Sequence, residues 1–227
     1  MRLKNLIIGD IKFQFKYGFY FVYVILTILY VCLLYTIPEG IRSKAATIMI
    51  FSDPAAMGLF FMGAIVLLEK SQRVLNSIAV SPVKVSEYVM AKVFSIGFIS
   101  TIVGFIIAFT AGIHNLFIVV IGIFMGSVIF TLLGLIVAAK ISSLNQFLIA
   151  TIPIELIAFL PSIGYQFGFN KEYMLAHPGC IIIRFMNGNM EHMIPLTLIL
   201  ILWILLLYYI TYCIIKKMFL SVGGVKL

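Results

Sequence analysis

The stretch LFIVVIGIFMGSVIFTLLGLIVAA, residues 116–139, decides the class of fold, because no charged residue interrupts it. A helix of about 20 mostly apolar residues crosses a ~30 Å hydrocarbon core, and a continuously apolar run lacks the in–out alternation of a barrel strand. Working outward, five more such runs occupy 19–37, 46–68, 93–113, 146–164 and 194–215. The composition agrees. Of 227 residues, 63% are hydrophobic and 11% charged, with a mean hydropathy of +1.18, against about 45–50% and about 25% in ordinary soluble domains. Gly 17, Pro 7 and Cys 3 exclude collagen-like and disulfide-scaffold chains. No soluble-sized insert separates the runs. The sequence therefore reads as an all-α membrane protein of six transmembrane helices, one membrane domain over 1–227.

Sixteen Lys+Arg against eight Asp+Glu give a formal charge of +8. The basic residues cluster beside the apolar runs, which is an orientation signal and not a nucleic-acid surface. With the N-terminus inside, the inner segments hold Arg2, Lys4, Lys12, Lys16, Lys70, Arg73, Lys84, Lys92, Lys140, Lys216, Lys217 and Lys226. The outer ones hold Arg42, Lys44, Lys171 and Arg184, a count of 12 against 4 that predicts cytoplasmic termini. Cys32, Cys180 and Cys213 form no CxxC, so neither a disulfide framework nor a cysteine metal site is expected. The first 18 residues carry charges throughout with no cleavage site after the first run, so no removable signal is expected.

Residues 1–18 read as an interfacial amphipathic helix, with Arg2, Asn5, Gly9, Lys12 and Lys16 on one side and Leu3, Ile7, Ile11 and Phe15 on the other. Residues 11–17 also alternate strictly, as a strand would. The longest inner connection is 69–92. Its first half places Val74, Leu75 and Ile78 on one side and Glu69, Lys70, Gln72, Arg73 and Asn76 mostly on the other. This is a short amphipathic helix stopped at Ser81-Pro82. The chain re-enters a helix near Ser86, with Glu87 in its first turn.

Residues 67–95, LLEKSQRVLNSIAVSPVKVSEYVMAKVFS, resemble the ABC-2 type transporter permeases. In that family a span ends in a Glu-Lys/Arg pair, an amphipathic helix follows, and Ser-Pro and Tyr-x-x-x-Lys lead into the third span. The matching positions are Glu69-Lys70, Leu75, Ser81-Pro82, Tyr88 and Lys92. The chain looks most similar to the small bacterial drug-export members. The resemblance implies a multi-pass protein of the bacterial inner membrane that pairs with a second permease copy or a sister permease. It also implies two copies of a separate ATP-binding subunit, which would hold the ATP and Mg. It makes 69–80 a coupling helix docking into that subunit, with Val74, Leu75 and Ile78 suited as anchors and Arg73 and Lys70 as rim partners for carboxylates.

Chemistry in the chain itself is sparse. No G-x-x-x-x-G-K-[ST] phosphate cradle, HExxH or GxSxG occurs, and His114, His177 and His192 are far apart, so no enzyme, resident cofactor or metal is expected. Glu155 lies midway along the fifth run. A central charge there costs about 2.5–3.5 kcal/mol, outweighed by apolar neighbours contributing roughly 0.3–0.6 kcal/mol each. Its carboxylate should face the bundle interior or a cavity, as a substrate or proton contact or as a structural hydrogen bond. Asp53-Pro54 interrupts the second run. Either the helix begins near Ala46 and kinks at Pro54, or a short re-entrant piece precedes it, and Asp53 faces substrate or caps the kink. Pro153 and Pro161 are expected to break the fifth span around Glu155. The outer segment 165–192 contains an apolar stretch, 179–186, that is too short to span, and the resemblance implies that the segment forms a re-entrant outer gate with His177-Pro178-Gly179 as its turn. Gly97, Gly104, Ala108 and Gly112, then Gly122, Gly126, Gly134 and Ala138, mark close-packing faces.

These features read as the membrane-spanning subunit of an exporter for an amphipathic or hydrophobic substrate (drug, lipid or peptide), with the pathway lined by spans one, two and five. The alternatives are a self-contained proton-coupled carrier using Asp53 and Glu155, or a membrane immunity or assembly protein that sequesters a peptide.

Overall fold

The computed structural model describes residues 2–79, 81–169 and 171–222, and every regular element among them is helical. In order these are α1 (Arg2–Lys16), α2 (Phe19–Thr36), α3 (Glu39–Ile50), a π-turn (Phe51–Ala55), α4 (Met57–Ser71), α5 (Val74–Ala79), α6 (Val85–Thr110), α7 (Leu116–Lys140), α8 (Leu144–Gln166), a 3-10 turn (Glu172–Ala176), α9 (Pro178–Met186) and α10 (Met193–Val222). Six units are long and apolar enough to cross a membrane: α2, the continuous Glu39–Ser71 unit, α6, α7, α8 and α10. The six-span, all-helical, multi-pass reading is borne out. Lys226, counted in the charge balance, lies outside the described residues.

Two boundaries are corrected. The second span starts at Glu39, not near Ala46, and only Ile37 and Pro38 separate it from α2. Neither a re-entrant piece nor a simple kink handles Pro54. Proline lacks the N–H that would bond back to Ile50, and the helix absorbs that loss by widening into a π-turn over Phe51–Ala55. The fifth span is not broken either, since α8 runs continuously through Pro153 and Pro161. Residues 11–17 are helical despite their alternation. Of the apolar row in α1, Leu3, Ile7 and Ile11 are partly covered, whereas Phe15 is exposed. Between α1 and α2 the chain turns at Gly18 in the left-handed region, φ 79°, a conformation that costs glycine little.

The centre of the bundle is α7, which packs against α4, α6, α8, α9, α10 and the π-turn. Its glycines let backbones touch. A Cβ on Gly134 would sit 2.6 Å from the Leu59 carbonyl, and one on Gly58 would sit 2.4 Å from Thr131 Oγ1. Further along α7, Gly122 and Gly126 form a notch into which α9 settles, bringing Phe185 and Ile182 against them. The two peripheral spans differ sharply from this core. In α2 and α8 only 17% of the membrane-length window is buried, against 61% in α7.

Candidate functional site

On its open side the bundle presents the π-turn of the second span between two exposed helices. α2 packs on α1, α3 and α6, and α8 packs on α3, α4, α7 and α9. The π-turn turns Ser52 and Asp53 toward this side. Asp53 does not act as a helix cap. Its carboxylate accepts hydrogen bonds from the Tyr30 hydroxyl of α2 and from Ser52 Oγ, the latter at 3.2 Å. Ser52 also lines a groove of about 340 Å³ with Glu155, Phe60 and Phe159. Glu155 therefore faces a half-open groove and not the bundle interior, and it has no cation within ion-pair distance among the described residues. Behind the groove, Phe51, Phe130 and Phe159 pack as an aromatic trio, with centroids 5.2–5.8 Å apart, joining the π-turn to α7 and α8. Proline at 54 thus has a consequence for the site. It places a carboxylate at membrane depth, held from two sides.

The second polar centre is closed to solvent. Lys92 of α6, 1% exposed, donates to Glu69 at the end of α4 and, at 2.6 Å, to Asp10 of α1. The Tyr88 hydroxyl donates to the other oxygen of Glu69 at 2.7 Å. Two carboxylates share one ammonium, and burial pushes the Asp10 carboxyl above its ordinary range while Lys92 pulls it back. Gln14, one turn beyond Asp10, donates to Ser95 at 2.9 Å. Sequence reading picked out Glu69, Tyr88 and Lys92 as motif positions but missed their union, and it missed Asp10 altogether. The available signal was phase. Asp10 and Gln14 fall on the bundle-facing side of α1, where a lone acid needs a cation.

The segment between α4 and α6 hangs from this cluster. Tyr17 and Gln72 hydrogen-bond to each other, and Arg2 donates to the Pro82 carbonyl at 3.1 Å, so α1 and the turn after it hold both ends of the segment. Ser81 Oγ closes α5 by donating to the Ile78 carbonyl. Lys70, expected at the rim toward a partner, is engaged within its own chain. Its ammonium donates to the carbonyls of Ala138, Ala139 and Ile141 and caps α7. Leu75 is not an exposed anchor either: it is 1% exposed and joins the core, with Ile78 partly buried beside it and Val74 half-buried. What α5 and the turn before it offer outward is polar, namely Arg73, Asn76 and Ser77.

A model of the fluoroquinolones export permease protein family matches residues 1–222, from α1 to the end of α10. The chain belongs to that family. Two curated relatives, fluoroquinolones export permease proteins from Mycobacterium tuberculosis strains CDC 1551 / Oshkosh and ATCC 25618 / H37Rv, are each 27% identical over 160 residues, 69% of this chain and 68% of theirs. The resemblance to small drug-export permeases carried by residues 67–95 is borne out. The family match spans both polar centres, so the open groove and the closed cluster both belong to the matched body of an export permease family.

At the opposite end from α5, His177 caps α9 and joins it to the 3-10 turn. Pro161 explains where the imidazole goes. Lacking an N–H, proline leaves the Ile157 carbonyl free one turn earlier, and His177 hydrogen-bonds to it. Burial holds the imidazole below its ordinary 6.5, with that hydrogen bond pulling the other way. A histidine kept neutral by folding contributes stability that is full above pH 6.5 and falls as pH drops through its lowered value. The melting temperature in detergent should drop on the order of a few degrees between pH 7.5 and 5.5, and His177→Gln should lose that part of the drop. An unchanged pH profile in the variant would remove His177 as its source.

Proposed function

We propose that this chain is the membrane-spanning subunit of an ABC-2 type exporter, with both termini cytoplasmic, working as two permease copies with two ATP-binding subunits that hold ATP and Mg. The single observation that carries this is the open side of the bundle. There α2 and α8, the least buried spans, flank the π-turn of the second span, where Asp53 is held by Tyr30 of α2 and where Ser52 and Glu155 of α8 line an outward-facing groove. A second copy seated on α2 and α8 would enclose that groove and turn it into a pathway. Its Glu155, with no cation within ion-pair distance among the described residues, and its aromatic walls suit an amphipathic drug with a protonated amine and a flat body, and a fluoroquinolone combines these. In this reading α9 and His177 form the outer gate. The polar face of α5 at Arg73, Asn76 and Ser77 meets the ATP-binding subunit, and the Asp10–Lys92–Glu69 cluster passes its movement to α1, α4 and α6.

The test is a mild-detergent purification from the native host, with drug efflux measured in parallel. The chain should bring down an ATP-binding protein stoichiometrically, and Arg73→Glu/Ser77→Glu should reduce that recovery at least about tenfold without lowering the melting temperature. Glu155→Gln should retain the partner yet cut efflux of an amine-bearing drug about tenfold, the worth of one charge-assisted contact. Efflux that survives ATP depletion and collapses with the proton gradient would overturn the reading in favour of a proton-coupled carrier. Tight peptide binding with no flux would overturn it in favour of a sequestering protein.

A further inference from the structure

Two apolar grooves run side by side on helices that the open groove does not use. One, of about 740 Å³, lies between α6, α7 and α10, and the other, of about 430 Å³, between α1, α6 and α7. Phe94 and Phe124, with ring centroids 6.2 Å apart, line both and form the wall between them. Phe124 lies so close to α6 because residue 97 is glycine, where a Cβ would sit 2.9 Å from the ring. The larger groove follows α7 from Val120 to Leu132, about 18 Å at 1.5 Å per residue, a little more than half of a ~30 Å hydrocarbon core. The smaller one ends at Ile7 and Ile11 of α1. At 100° per residue, Lys4, Ile8 and Lys12 continue that edge of α1 outward. Lys4 and Lys12 are exposed, and neither has a carboxylate within 4 Å among the described residues. Asp10, the one acid of α1, is turned away toward Lys92.

We propose that the paired grooves hold one two-chain anionic phospholipid, an acyl chain on each side of the Phe94–Phe124 wall and its phosphate at Lys4 and Lys12. A divided apolar bed about 18 Å long, with Lys4 and Lys12 beyond its α1 edge, fits two tails and one negative headgroup. Its walls offer only hydroxyls, from Thr101, Thr197 and Tyr208, which gives a polar solute little to bind. A lipid bound here bridges α1 to α6, α7 and α10 and braces the helix that holds the segment around α5. The site stands independently of what the protein exports.

The test reconstitutes the full chain in vesicles of equal phosphatidylglycerol and phosphatidylcholine, extracts it in mild detergent and weighs the retained lipid by native mass spectrometry. One phosphatidylglycerol per chain is expected, in preference to phosphatidylcholine. Lys4→Glu and Lys12→Glu should each lower that preference about fivefold, the worth of one lysine near an anionic surface. Thr101→Trp, which fills the smaller groove, should release the lipid. Should the tryptophan variant not fold, the two surface lysine variants decide alone. Equal retention of both phospholipids, unchanged retention in the lysine variants, or equal retention of a single-chain anionic lipid would each overturn the proposal.

Discussion

Lys92→Met is expected to abolish recovery of folded protein. The substitution keeps the length and removes the charge, leaving Glu69 and Asp10 facing one another in a site where Lys92 is 1% exposed. Removing one partner of a buried pair costs about 3–5 kcal/mol, a large part of the ~5–15 kcal/mol that holds a typical domain together. Here two carboxylates lose the same counter-charge. The decisive comparison is the neutral triple variant Lys92→Met/Glu69→Gln/Asp10→Asn, which removes the stranded charges along with the pair and should recover most of the melting temperature. Size-exclusion elution and thermal melting in one detergent read both variants. A Lys92→Met protein that melts with the wild type would mean that the cluster is hydrated in the membrane and carries no such weight.

Gly134→Ala should be among the most damaging single methyls where two spans cross. Its Cβ would fall 2.6 Å from the Leu59 carbonyl and 2.9 Å from the Gly58 carbonyl, both backbone atoms of α4. A side chain in the way can rotate, but a helix backbone can only be pushed aside whole. Overpacking commonly costs about 1–3 kcal/mol, and this contact belongs at the top of that range. Gly9→Ala provides the control. That position lies inside α1 with nothing within 4 Å of the added carbon, so alanine should be neutral or stabilise by about 0.5–1 kcal/mol through helix propensity. Equal melting shifts in the two variants would show that α4 and α7 are not in backbone contact.

What was legible in the sequence divides along a physical line. The spans were legible because insertion depends on local apolarity, and the outward side of α1 at Arg2, Asn5, Gly9, Lys12 and Lys16 was legible because 3.6-residue periodicity is local too. The extension of the second span back to Glu39 was hidden by Arg42 and Lys44, which read as loop charges yet lie on α3. The closed cluster was illegible because its members are 23 and 82 residues apart, and a single sequence gives no sign of which charges meet. Leu75 was misread for a related reason. An apolar stripe on a short helix says that something covers it, not whether the cover is another protein or, as here, the chain's own core. Glu155 and Asp53 stand out in the sequence as acids within apolar runs, but the π-turn that puts Ser52 on a groove with Glu155 depends on how a helix accommodates Pro54, which composition does not reveal.

The 82 residues between Asp10 and Lys92 also set an order of events during synthesis. At about 5–20 residues per second, Lys92 leaves the ribosome about 4–16 s after Asp10. For that interval α1 has no partner for its inward-facing acid and must wait at the membrane surface. Glu69, arriving next, can only add a second negative charge. The third span brings the cation that lets α1 dock, so α1 is fixed only after α2, α3, α4 and α5 have followed it. A nascent chain arrested before residue 92 should still expose α1 to protease, and one arrested well beyond it should not.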